Sequence, residues 1–249
     1  MAARSDYLMK FYRWLQVFLV GHDWGSLIAW YVCLFRPDRV TAHVSTSLPF
    51  IRSIVARTGP GFVMPIENFN RTYGPTYYMC RFQEPGVAEA GQFSPARARR
   101  LVRQILCHCF SHGVALPLEE EMDDEDKYPT ATLPPWLTEA DVDYLGAEFE
   151  RTGFAGGINY YRNMDMNCEL AAAWADAKVQ VPTKYVVGEG EITYHFEGVQ
   201  EYVHGGGFKK DVLLLEEVVV ILGAGHFIQL EKAQEVTATS STTSLPSSE

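Results

Sequence analysis

Cysteine is sparse in this 249-residue sequence, and Cys33, Cys80, Cys107, Cys109 and Cys168 form an odd set at irregular spacing. A chain of this length buries enough surface not to need covalent staples. The five therefore read as reduced thiols of a cytoplasmic protein, and a disulfide scaffold is excluded. Cys107-His108-Cys109 has no second Cys/His cluster at matching spacing, so no metal site is expected and the three read as helix residues. Positive charge is short as well. With 21 Lys and Arg against 31 Asp and Glu the net charge is −10, which argues against nucleic acid or an anionic membrane as partner. Long apolar runs are missing: residues 14–36 carry His22, Asp23 and two glycines and are no membrane span. Arg4 and Lys10 precede a partly apolar run, but Arg13 and Gln16 break it and no small-residue cleavage site follows, so no signal peptide is read. There is no internal repeat.

What is present is core material. Hydrophobic residues make up 47% and aromatics 13% of the chain, enough for one or two packed domains. The apolar, β-branched runs at 17–20, 40–45, 182–187 and 217–222 read as short buried strands, and 26–35 as a helix that Pro37 stops. Strands alternating with helices predict a parallel sheet in an α/β fold. From about Leu48 to Trp174 the character changes to aromatic-rich and mostly helical. One helix is marked by a Thr138-x-x-Asp141 capping box and closed by Gly153. The expected organisation is a core from 1–48 and 175–236 with a helical cap, 49–174, over the C-terminal edge of the sheet, where such folds bind ligands. The acidic run from Glu119 to Asp126 reads as a solvated cap loop, and the Ser/Thr-rich stretch 237–249 as a disordered tail.

The most informative stretch is Gly21-His22-Asp23-Trp24-Gly25, between the first strand-like run and its helix. It has the outline of a nucleophile elbow, a sharp strand-to-helix turn that presents one side chain at its tip. The flanking glycines are expected to be required by crowding. The tip carries no serine. Asp23 stands there, and a carboxylate attacks an electrophilic sp3 carbon to form an ester instead of performing ordinary acyl transfer.

An Asp nucleophile needs a base to hydrolyse that ester, an acid to orient the base, and donors for the departing oxygen. The expected chain order is nucleophile, acid, histidine. His226, in Gly223-Ala224-Gly225-His226-Phe227, follows the fourth strand-like run directly. His22 lies inside the elbow, His43 within a strand, His108 and His112 in the cap, and His195 and His204 on surface-like segments. The loop Gly188-Glu189-Gly190-Glu191 offers two acids, and the residues alone leave both Glu189 and Glu191 open. Tyr77, Tyr78, Tyr160 and Tyr161, taken by themselves, read as aromatic core.

Five landmarks run in the same order as in one family. Gly21-His22-Asp23-Trp24-Gly25, Phe35-Arg36-Pro37-Asp38-Arg39-Val40, Arg81-Phe82-Gln83-Glu84-Pro85-Gly86, Asn159-Tyr160-Tyr161-Arg162, and Tyr202-Val203-His204 leading to Gly206-Gly207-Phe208-Lys209-Lys210-Asp211 resemble the soluble epoxide hydrolases, especially those of plants. The resemblance implies an α/β-hydrolase fold with Asp23 as nucleophile, His226 as base and Glu191 in the acid slot. It also implies that Tyr78 and Tyr161 polarise the epoxide oxygen, and that the Trp24 backbone N–H acts as an oxyanion donor. No metal or organic cofactor is implied. The partner is a small apolar epoxide.

Two departures from the family bear on activity. Glu191 stands where the family has Asp, and an extra methylene shifts a carboxylate by about 1 Å, which can cost about a hundredfold in rate. Only 16 residues precede Val17, so the first four strands of the family's sheet are expected to be missing, with the His-Gly-x-Pro loop that supplies a second oxyanion donor. Losing such a donor costs roughly 100- to 1000-fold. Strand 17–20 would then have an unpaired edge open to self-association. The chain reads as a truncated or mis-spliced product of an epoxide hydrolase gene. Two other readings share these features: a haloalkane or haloacetate dehalogenase, which needs no paired tyrosines, and a non-catalytic remnant that keeps the pocket for binding.

Overall fold

In the computed structural model, residues 16–107, 116 and 132–241 are described. Cys109, His108, His112, the acidic run from Glu119 to Asp126 and residues 242–249 lie outside them. Four strands, β1 Val17–His22, β2 Val40–Thr46, β3 Thr183–Gly188 and β4 Leu215–Ile221, form one parallel sheet in the order β1-β2-β3-β4. Helix α1, Trp24–Phe35, makes the first crossover. Parallel strands covered on both faces read as continuous apolar runs, and β3, with every residue buried, is the clearest case.

The two faces carry separate cores. Tyr185 and Val187 pack with Trp30, Leu34 and Phe208 on the α1 side. Val44 and Val186 pack with Ile221, Ile228 and Val236 on the opposite side. Strand β1 departs from the expected buried run: Val17, Phe18 and Val20 are 47%, 58% and 65% exposed. Among the described residues β1 pairs on one side only, with β2, which leaves it at the edge of the sheet.

Between β2 and β3 the chain is helical. Helices α2 Arg52–Val55, α3 Pro65–Tyr73, α4 Tyr78–Arg81, α5 Val87–Ala90 and α6 Ala98–Cys107 are followed by α7 Glu139–Thr152, α8 Ala155–Arg162 and α9 Met164–Leu170. They build a core of their own around Phe69, Tyr78, Phe82, Phe93, Leu101, Val142 and Ile158. Helix α7 starts at the expected box: the Thr138 N–H donates to Asp141 Oδ2 at 2.9 Å and the Asp141 N–H to Thr138 Oγ1 at 3.2 Å. It ends at Gly153, with φ 69°. Cys33, Cys80, Cys107 and Cys168 are free thiols. Among the described residues, no helix is long and apolar enough to cross a membrane.

After β3 come α10 Val199–His204 and α11 Gly207–Asp211; after β4 come α12 Ile228–Glu231 and α13 Ala233–Ser241. Helix α13 corrects the expectation of a disordered segment from residue 237. Val236 is buried against the sheet, and the Ser240 and Ser241 hydroxyls donate to the carbonyls of Val236 and Thr237 one turn back. A Ser/Thr-rich composition is here absorbed by a helix that supplies its own acceptors.

Candidate active site

Asp23 sits between the last residue of β1 and the first of α1, with φ 53° and ψ −121°. A non-glycine residue at positive φ costs on the order of 1–3 kcal/mol and is held only where its surroundings over-determine it. Here they do. The Ser26 hydroxyl lies within hydrogen-bond reach of the Gly21 carbonyl at 2.6 Å and the Thr46 carbonyl at 2.8 Å, and the Thr46 hydroxyl donates to Gly21 O at 2.9 Å. The Asp23 carbonyl accepts from the N–H of Ser26 and of Leu27. Gly21 is required, because a Cβ there would lie 2.6 Å from the Gly25 carbonyl oxygen. Gly25 is not: a Cβ there would meet nothing within 4 Å, so the expectation that both flanking glycines relieve crowding holds for one of them.

Two other loops converge on this tip. At the end of β3, a Cβ on Gly188 would lie 2.2 Å from the Gly225 carbonyl oxygen, so only glycine lets this strand end come so close to the loop after β4. The Gly190 N–H donates to Ala224 O at 2.9 Å and ties the two loops together. This resolves the two acids. Glu189 turns to the β4 loop, where it accepts from the Gly223 N–H at 3.0 Å. Glu191 is fully buried and accepts from His226 Nδ1–H at 2.7 Å. Its other oxygen accepts from the Thr193 N–H at 3.0 Å and lies 3.2 Å from the Thr193 hydroxyl, which is also within reach of the Ser47 carbonyl at 3.0 Å. The longer Glu side chain thus reaches the histidine within hydrogen-bond distance.

Burial alone would push Glu191 up and His226 down. Their mutual attraction and hydrogen bond win in both cases, holding Glu191 at about 2 and raising His226 to about 9, with the Asp23 charge adding to the rise. Since Glu191 falls from an ordinary 4.5, its contribution to stability is complete above that pH and lost as pH drops toward 2. Since His226 rises from 6.5, its contribution is complete below that pH and lost as pH climbs through 9. The melting temperature lost on Glu191→Gln substitution should therefore be greatest between pH 4.5 and 6.5 and shrink on both sides. Melting curves of the two proteins across pH check this; a difference still growing above pH 9 would contradict the assignment.

Above the tip lies a cavity of about 210 Å³ lined by Asp23, Trp24, Tyr78, Tyr161, His226 and Phe227 among others. A second space of about 530 Å³ shares Asp23, Trp24, Tyr161 and Phe227 with it and is walled by Phe82, Phe93, Phe149 and Phe154. Asp23 thus stands where two apolar lobes meet. Tyr78 begins α4 and Tyr161 lies near the end of α8, with ring centroids 5.6 Å apart at 77°, and Trp24 meets Tyr161 edge-on at 5.0 Å. Burial, with the Asp23 charge adding to it, raises both phenols above their ordinary value, so each stays protonated as a hydrogen-bond donor.

The flanking motifs explain how two helices so far apart in sequence hold these rings together. The Gln83 amide donates to the carbonyls of Met79 at 2.7 Å and Tyr161 at 3.2 Å. Arg162 donates to Phe82 O at 2.8 Å and pairs with Glu89 at 2.7 Å. Sequence reasoning missed Thr193, Gln83, His22 and Glu231 as parts of this site. His22 and Glu231 both touch the backbone around His226.

An aspartate-tipped elbow on a parallel sheet, with a His–Glu pair brought in by the next two strand ends, defines an α/β hydrolase. No protein-family model matches the chain. It is 49% identical over 223 residues to epoxide hydrolase 3 of Siraitia grosvenorii, covering 90% of this chain and 68% of the relative. Among solved structures, an epoxide hydrolase of Vigna radiata superposes with a TM-score of 0.80 at 40% identity, covering 94% of this chain and 70% of that one. Potato (Solanum tuberosum) epoxide hydrolase I gives 0.76 at 41% identity, covering 90% and 68%. The chain belongs to the epoxide hydrolase family.

Proposed function

We propose that this chain converts epoxides to vicinal diols through an ester on Asp23. The observation that carries the reading is the shared cavity: the carboxylate at the elbow tip, two protonated phenols and His226, which is bonded behind to the buried Glu191, line the same space. In the first step an Asp23 carboxylate oxygen attacks one ring carbon and the strained C–O bond breaks. Tyr78 and Tyr161 donate hydrogen bonds to the departing oxygen and supply its proton, leaving a hydroxyalkyl ester. In the second step His226, oriented by Glu191, takes a proton from water while the hydroxide adds to the ester carbonyl. The Trp24 N–H, in the first turn of α1 where the helix supplies no acceptor, stabilises the tetrahedral oxyanion. Collapse frees the diol and restores the Asp23 carboxylate, and the proton on His226 returns through solvent to the phenol that lost one.

Residues 49–174 act in this reading as a cap that carries the two tyrosines over the sheet. The two lobes, both dominated by aromatic and aliphatic walls, suit an epoxide with apolar arms. Free thiols accord with a cytoplasmic location.

Styrene oxide and 1-chlorobutane offered side by side test the reaction class. Diol from the first supports the reading, whereas chloride release from the second without diol moves the chain to the dehalogenases. Tyr78→Phe and Tyr161→Phe should each slow ester formation by roughly 100-fold, the usual cost of one oxyanion donor, and leave hydrolysis of the ester nearly unchanged. Single-turnover mixing resolves the two steps.

A further inference from the structure

We infer that His22 and Glu231 are positioning residues that together fix the backbone on both sides of His226, Glu231 by its two carboxylate oxygens and His22 by its ring. The inference rests on the proposed function, in which His226 acts only in the second step.

Glu231 closes the one-turn helix α12 and reaches back across it. One oxygen accepts from the Gly225 N–H at 2.7 Å and the other from the Phe227 N–H at 3.0 Å, the residues immediately before and after His226. The His226 carbonyl, between those two amides, accepts from His22 Nε2–H at 2.8 Å. Only a protonated ring nitrogen can donate to a carbonyl, so a hydrogen sits on Nε2, and in the neutral ring Nδ1 is then the acceptor. The Gln229 amide lies 3.4 Å from Nδ1, consistent with that tautomer. Burial, together with the neighbouring His226, outweighs Asp23 and keeps His22 below its ordinary value and so neutral. The two rings also touch, with centroids 4.6 Å apart. Three consecutive residues of a loop are thereby held by side chains from two other places in the chain.

Such fixing matters because His226 must meet a water and an ester carbonyl at once. A displacement of about 1 Å at a reacting group costs about 100-fold in rate. A residue that merely capped α12 would affect stability and both chemical steps together. A positioning residue affects the step in which His226 works. His22 precedes the elbow tip and Glu231 follows the base, so the contacts also join the nucleophile's turn to the loop that carries the base.

The test separates ester formation from ester hydrolysis in the full chain, with styrene oxide as probe. In Glu231→Gln one acceptor oxygen becomes an amide donor facing a backbone N–H, so the clamp opens at one end while size is kept. Ester should form on Asp23 at the wild-type rate and hydrolyse roughly 100-fold more slowly, so that the mass of the ester accumulates. His22→Phe keeps the ring contact and removes the donor; it should show the same split and serves if Glu231→Gln does not fold. A folded variant with unchanged hydrolysis, or one in which both steps fall equally, overturns the inference. If the unsubstituted chain forms no ester at all, the proposed function fails instead. The inference is then read by NMR: the downfield proton of the His226–Glu191 bond should shift or vanish in Glu231→Gln, and an unchanged resonance overturns it.

Discussion

Asp23→Asn should abolish diol formation, with a loss of about 10⁴-fold or more, the scale seen when the nucleophile of a triad-type enzyme is removed. An amide oxygen carries no charge to displace a carbon–oxygen bond and leaves no carboxylate for the ester to regenerate. The fold should survive the change. Asn tolerates positive φ about as well as Asp, and the Asp23 side chain caps no backbone group of α1. The elbow is held by Ser26, Thr46 and the absence of a Cβ at Gly21, none of which the substitution touches. A melting temperature near that of the unsubstituted chain, with no mass adduct after mixing with styrene oxide, is the expected result. Retained turnover by a fully substituted sample would remove Asp23 from the chemistry. Indistinguishable behaviour of both proteins, inert yet binding the epoxide, would favour a binding role.

What could be read from the residues was what has a periodic or local signature. The strands β2 and β3 are buried on both faces and therefore stand out as apolar runs, and the Thr138 box names its helix from two side chains. The elbow is a local turn, so its shape, with Asp23 at the tip between strand and helix, was legible from five consecutive residues. The apolar run of β1 is written the same whether or not a neighbour covers it, so its residues read as buried, and its exposed edge was legible only through the resemblance, as the unpaired edge expected of strand 17–20. Helix α13 was hidden by its hydroxyls, whose partners are carbonyls one turn back. Glu189 and Glu191 share a loop and a residue type. The close approach of Gly188 to Gly225 and the tie from Gly190 to Ala224 point one at the histidine and the other at Gly223, and no spacing rule encodes that. His22 and Glu231 were missed for a related reason: their partners are backbone atoms, which no letter of a sequence announces.

His226→Gln should separate the two halves of the reaction. In the proposed reaction alkylation needs Asp23 and the phenols, so one equivalent of epoxide should be consumed and remain on the protein, while hydrolysis falls by roughly 10⁴-fold. The unsubstituted chain should show why the base works despite a free-state value of about 9. Part of that rise comes from the Asp23 carboxylate, and ester formation removes its charge. Desolvation, which pulls His226 downward, then meets one fewer opposing charge, and the proton is released more easily in the ester than in the free protein. Burial and the His226 charge keep His22 beside it below its own ordinary value. Glu191 and Glu231 still favour the protonated ring, so the histidine titrates below about 9 in the ester without returning fully to the value of a buried, unpaired imidazole. Ester hydrolysis should accordingly rise with pH, with its midpoint below about pH 9, and ester should accumulate as the medium is made more acidic. Single-turnover traces across pH measure both rates. In His226→Gln the residual hydrolysis should lose that rise, and a profile of unchanged shape would assign the titrating base to another group.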